Sequence, residues 1–177
     1  MPIVRKTALV PFAAESMFDL VEQVEGYPQF LPWCGGAEVL ERLPDSQIAT
    51  VTIAFKGIRQ TFSTHNTLER PTRIGLVLRD GPFSRLQGEW LFKPLRADAC
   101  RIDFMLDYEM RSGLLARLLG PVFGHIAQTM VDAFVKRAGE APPAAPSAGR
   151  PALHDLPSTA AGSTPPVNVT SSPRGRR

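Results

Sequence analysis

Cys100-Arg101-Ile102-Asp103-Phe104-Met105-Leu106-Asp107-Tyr108-Glu109-Met110 puts an apolar side chain at every second position and, Met105 apart, a charged one between them. A period of two marks a β-strand, because successive side chains point to opposite faces of a sheet. One face of this strand is dry and the other wet, as in an antiparallel sheet covered on one side. The neighbouring stretches repeat the pattern: Leu86, Gly88, Trp90 and Phe92 alternate with Gln87 and Glu89, and Ile74, Leu76 and Leu78 alternate with Arg73 and Arg79.

Two more strands, about 47–55 and 58–68, flank Lys56-Gly57, a pair suited to a tight hairpin turn. Val51, Ile53, Phe55 and Phe62 are apolar, yet Thr50, Thr52, Thr61, Thr64 and Thr67 make this hairpin rich in threonine. Upstream, Ile3 to Val10 reads as a strand ended by Pro11, and Met17, Phe18, Val21 and Val24 recur at helical spacing. Gly26 and Pro28 break that helix before a short piece carrying Phe30, Leu31 and Trp33.

Downstream, Ser112 can cap a helix running to about Ala138. Leu115, Leu118, Leu119, Val122, Ile126, Met130 and Phe134 form its apolar stripe, opposite Arg117, His125, Gln128, Asp132 and Lys136. Gly120-Pro121 predicts a kink or restart, since proline removes one helical hydrogen bond. The expected architecture is α+β: a curved antiparallel sheet wrapped around one long C-terminal helix.

A curled sheet and a helix need not touch everywhere, and the gap between them is a natural pocket. Leu86, Trp90, Phe104 and Tyr108 from the strands, Phe55 and Phe62 from the hairpin, and Leu119, Phe123, Met130 and Phe134 from the helix are the candidate lining. The same residues could instead fill a solid core, and the sequence leaves both readings open. Tyr108 is the candidate to hydrogen-bond a polar head, because its hydroxyl sits on the inward face. Phe30, Leu31 and Trp33, between Pro28 and Pro32, are candidates for a mouth or membrane-touching element, the alternative being a plug under the neighbouring helix. Asp80-Gly81-Pro82 is a turn, from which Phe83 could close the pocket.

Charge narrows the function classes. Residues 1–139 carry 16 Lys/Arg against 15 Asp/Glu, so the +3 excess sits mostly in Arg174, Arg176 and Arg177. This balance argues against a dedicated DNA or RNA binder, which would carry a basic stripe, and leaves room for a local basic patch. Lys56 and Arg85 are candidate contacts to anionic lipid or rRNA phosphate, or else ordinary solvated charges. Cys34 and Cys100 lack the spacing of a metal site, and no metal is expected. His65 lies on the polar face of its strand with Arg59, Thr61 and Ser63, so no catalytic residue is assigned. With no signal-peptide pattern and no apolar run approaching 18 residues, the expected location is the cytoplasm, with peripheral contact at the inner membrane allowed. Residues 140–177 hold 8 of the 17 prolines and are expected to be a disordered Pro/Ala/Ser-rich tail, leaving 1–139 as the domain.

Four runs then carry a resemblance. Tyr27-Pro28-Gln29-Phe30-Leu31-Pro32-Trp33-Cys34, Phe55-Lys56-Gly57, Asp80-Gly81-Pro82-Phe83 and Met130-Val131-Asp132-Ala133-Phe134 closely resemble the coenzyme Q-binding START-domain family, whose bacterial members are often labelled RatA ribosome association toxins. The resemblance implies a helix-grip fold that binds ubiquinone or a related prenylated lipid and supports respiration. Ubiquinone would then be a bound ligand, and no catalytic cofactor is implied. The second label implies binding to the large ribosomal subunit and interference with subunit joining. The long tail is where this chain departs from the family.

Overall fold

The computed structural model describes residues 3–140; the expected disordered tail, beyond Glu140, lies outside the described residues. β1 (Ile3–Val10) is followed by α1 (Ala14–Glu22) and a 3-10 turn, Val24–Gln29. Six strands follow: β2 (Cys34–Arg42), β3 (Ser46–Phe55), β4 (Ile58–Glu69), β5 (Arg73–Asp80), β6 (Phe83–Arg96) and β7 (Ala99–Met110). α2 (Gly113–Glu140) ends the described chain. The strands form one antiparallel sheet in the order β1-β7-β6-β5-β4-β3-β2. α2 packs on it beside α1. This is the α+β arrangement expected from the strand periodicity, and the helix-grip fold that the resemblance implied.

Local chemistry explains the joints. Lys56 and Gly57 have φ of 49° and 79°, the two positive values a two-residue hairpin needs to match the twist of its strands. Thr50, Thr52 and Thr61 of this hairpin work on its outer face, where Thr50 pairs with Ser63 at 2.8 Å and Thr52 with Thr61 at 2.9 Å. Gly81 has φ of 144°, and a Cβ there would lie 2.5 Å from that of Phe62, so only glycine serves this turn. Ser112 caps α2 as expected, its hydroxyl accepting from the Leu115 N–H at 3.2 Å. Of the kink or restart expected at Gly120-Pro121, the restart does not occur: the helix continues through Pro121. Proline forfeits one backbone bond there, and Leu119 and Phe123, buried on either side, hold the axis to the sheet.

α2 is also long and apolar enough to cross a bilayer by composition, which the sequence reading did not anticipate. Its stripe of Leu119, Phe123, Ile126, Val131 and Phe134 is buried within the domain. Burial of each such side chain contributes about 1.5–3 kcal/mol. α1 has no side-chain cap and relies on tertiary contacts: Met17 and Phe18 are wholly buried. Arg70 braces its outer face by pairing with Asp19 and Glu22 while lying 4.6 Å from the Phe18 ring centre.

Candidate ligand cavity

A cavity of about 80 Å³ lies inside the grip. Val21, Val24 and Tyr27 border it from α1 and the 3-10 turn, and Trp33 from the segment before β2. Ala49, Val51 and Ile53 of β3 and Phe62, Thr64 and Asn66 of β4 form one side. Ile74 and Leu76 of β5, Leu86 and Trp90 of β6, and Phe104 and Leu106 of β7 form the rest of the sheet wall. Phe123, Ile126 and Met130 of α2 close it. The space is far narrower than the roughly 300–1,000 Å³ of small-molecule sites, and Trp90 and Phe104 tilt together beside it with ring centres 4.5 Å apart.

Seven of the residues singled out in the sequence meet here: Trp33, Phe62, Leu86, Trp90, Phe104, Phe123 and Met130. The others do not line the cavity. Tyr108 packs its ring 4.5 Å from Phe123, within an aromatic cluster that includes Phe83, and so does not present its hydroxyl to a guest. Phe83 stands behind the cavity wall, 5.6 Å from Phe62 and 4.9 Å from Phe123, with Leu119 bordering the same small gap. Phe134 supports the opposite end against Trp90 at 5.3 Å.

The expectation of an exposed aromatic mouth is corrected. Leu31 and Trp33 are 1% and 6% exposed. Phe30 is half-buried between Tyr27 and Phe134, with the Arg137 guanidinium 5.4 Å from its ring centre. The Tyr27–Cys34 run is therefore a clasp that ties the 3-10 turn to the end of α2. Arg85 is likewise no open cation, since it pairs with Asp107 at 3.0 Å and Glu109 at 3.1 Å.

Outside the cavity, Pro32, Trp33, Phe55, His125, Ile126, Thr129, Asp132, Ala133 and Lys136 line a cleft of about 310 Å³. Trp33 and Ile126 border both spaces and form the partition between them. Together the two spaces reach the roughly 300–1,000 Å³ of small-molecule sites. His125 stacks on Phe55 at 6.4 Å on the cleft side.

Two polar residues were missed. Thr64 and Asn66 are inward on β4 and buried, with the Thr64 hydroxyl donating to Asn66 Oδ1 at 2.7 Å. Their sequence signal was the 62-64-66-68 alternation, obscured because threonine-rich strands read as wet. Tyr27 is the one ionisable side chain among the lining residues. Burial raises its pKa far above the ordinary phenol range, with Cys34 and Glu25 adding to the effect, and its hydroxyl donates to the Val21 carbonyl. The cavity is accordingly neutral.

A sheet that grips one helix around a neutral, apolar cavity defines a class of small-ligand-binding α+β domain. The chain belongs to the polyketide cyclase/dehydrase and lipid transport family, whose sequence model matches residues 10–135. It is 46% identical over 140 residues to the ribosome association toxin RatA of Escherichia coli K12, covering 79% of this chain and 89% of that protein. It is 29% identical over 138 residues to the mitochondrial coenzyme Q-binding protein COQ10 homolog B of Xenopus laevis, covering 76% of this chain and 57% of that protein. Among solved structures, a START superfamily protein from Mycobacterium smegmatis superposes with a TM-score of 0.66 at 22% identity, covering 78% of this chain and 97% of that one. The Zhui aromatase/cyclase from Streptomyces sp. R1128 gives 0.68 at 20%, covering 78% and 94%. Those two likenesses show the fold.

Proposed function

We propose that the domain carries ubiquinone or a related prenylated lipid, holding its head in the inner cavity and passing its tail through the outer cleft. The observation that carries this reading is that Trp33 and Ile126 stand between an inner apolar cavity and an outer cleft. An apolar cavity of roughly 150 Å³ accepts benzene, so entry of a ring-sized head requires Trp33 or α2 to give way. Burying the guest repays this at roughly 25 cal/mol per Å² of apolar surface. The lipid transport family and the COQ10 relative support the ligand class. The reading is one of binding without turnover: the lining offers no pair of groups to donate and accept protons, and Tyr27 is held neutral.

Organic extraction of the purified protein followed by mass spectrometry tests this directly. A prenylated quinone is expected in near-stoichiometric amount, or is taken up from vesicles that contain it. Protein that carries none and takes none up would remove the proposal.

A second reading rests on a different observation, the 46% identity to a protein named for ribosome association. It places this chain on the large ribosomal subunit in the cytoplasm and predicts co-sedimentation with that subunit, lost steeply with added salt. Subunit joining that ignores the added protein would dismiss it.

A further inference from the structure

We infer that Asn66 reads a neutral hydrogen-bond acceptor on the guest, so that the cavity selects an apolar molecule with a carbonyl-type head over both bare hydrocarbon and anionic lipid. The inference rests on the carrier reading and adds the chemistry of the head to it.

Inward positions 62, 64, 66 and 68 of β4 face the core, and at two of the four the strand spends a polar residue where Phe62 and Leu68 show that apolar ones fit. Asn66 is 3% exposed and borders the cavity. Its Oδ1 is already occupied by the Thr64 hydroxyl at 2.7 Å. Its Nδ2 has no hydrogen-bond partner among the described residues, and because the residue borders the cavity, that amide group is left to an acceptor held there. The neighbouring buried amide behaves differently: Gln47 Nε2 donates to the Glu22 carbonyl at 3.2 Å and its Oε1 accepts from Arg42. A donor facing a narrow apolar cavity makes its hydrogen bond only if a guest supplies the acceptor.

The partner chemistry follows from what surrounds the amide. Among the lining residues there is no Lys, Arg or His to neutralise a carboxylate or phosphate, and Tyr27 already donates to Val21. Burying an uncompensated anion here would cost far more than one amide hydrogen bond returns. A quinone carbonyl suits the site: it accepts the Nδ2–H bond, carries no charge, and sits on a ring that Trp90, Phe104 and Phe123 can enclose.

Three probes with the same tail separate these properties: decylubiquinone, decylbenzene and 4-decylbenzoate, titrated into the full chain with binding read by calorimetry. The parent protein is expected to bind decylubiquinone about tenfold or more tightly than either of the others. Asn66→Leu is expected to lose about tenfold for the quinone and to gain for decylbenzene, since the amide's unmet donors are gone. Equal affinity of the parent for quinone and decylbenzene overturns the inference whether or not the variant folds, and so does an Asn66→Leu protein whose preferences are unchanged. Parent protein that binds none of the three refutes the carrier reading itself, and the role of Asn66 falls with it.

Discussion

Phe123→Ala is the sharpest perturbation of the grip. The ring is 4% exposed and sits with its centre 4.5 Å from Tyr108, 4.9 Å from Phe83 and 6.2 Å from Phe62, so it joins α2 to both arms of the sheet. Truncating a buried phenylalanine costs about 3–5 kcal/mol, the larger values arising where the hole cannot collapse. Phe123 already borders a cavity, so the new space merges with the old one and the upper part of that range is expected. For a domain of this size each kcal/mol moves the midpoint by about 2–4 °C, which makes the expected fall roughly 10–15 °C in a thermal melt followed by circular dichroism. Indole added to saturation should fill the enlarged space and raise the variant's midpoint while leaving the parent's unmoved. Leu118→Ala, on an exposed position of the same helix, should change stability by no more than about 0.5 kcal/mol. A Phe123→Ala loss below about 1 kcal/mol would show that α2 is not held to the sheet through this ring.

Gly88→Ala should destabilise by about 1–3 kcal/mol, because its Cβ would lie 2.5 Å from the Met105 carbonyl oxygen and 2.9 Å from Leu106 Cδ1; an unchanged urea midpoint would contradict this. Cys34 and Cys100 are buried and burial raises both thiol pKa values, so at neutral pH Ellman's reagent should react slowly with native protein and at once after denaturation. Immediate reaction of the native protein would refute that packing. Asp103 has a lowered pKa, first through the Thr7 hydroxyl that donates to it at 2.7 Å and then through Arg101. A depressed carboxyl pKa stabilises the fold above the unfolded value and loses that contribution as pH falls through the folded one. The stability gap between parent and Thr7→Val should therefore be widest at neutral pH and close below the carboxylate range, in urea titrations across pH 2–7; a gap that stays constant would assign the effect to packing.

The sheet was legible because most of its strands keep one wet face: the β7 pattern survives intact, with the inward residues 100, 102, 104, 106, 108 and 110 all buried. The hairpin at Lys56-Gly57 and the cap at Ser112 were legible for local reasons, a turn and a helix end each demanding particular residues. The cavity was only half legible. Alternation tells which side of a strand faces inward, and says nothing about which inward residues the helix then covers. Tyr108 and Leu86 are equally inward, yet Phe123 seals the first while the second remains at the cavity wall. Leu31 and Trp33 misled because prolines on both sides suggest a projecting loop, whereas here Pro28 belongs to a 3-10 turn that folds the run back against α2. Asn66 was passed over because an isolated inward amide looks like one more polar residue in a strand of threonines.

The first and last strands are hydrogen-bonded neighbours, with Ile3 opposite Asp107 and Val10 opposite Cys100. β2 through β7 follow one another as local hairpins, while β1 must return across about a hundred residues of intervening chain to find its seat. Closing so distant a pair is the slow entropic step of such a topology. Val21, Val24 and Tyr27, which roof the cavity, are strung between that late-arriving strand and the meander. The chamber is thus a property of the finished molecule: a nascent chain that ends at β6 lacks the β7 and α2 walls and the seat for β1, and cannot retain a guest.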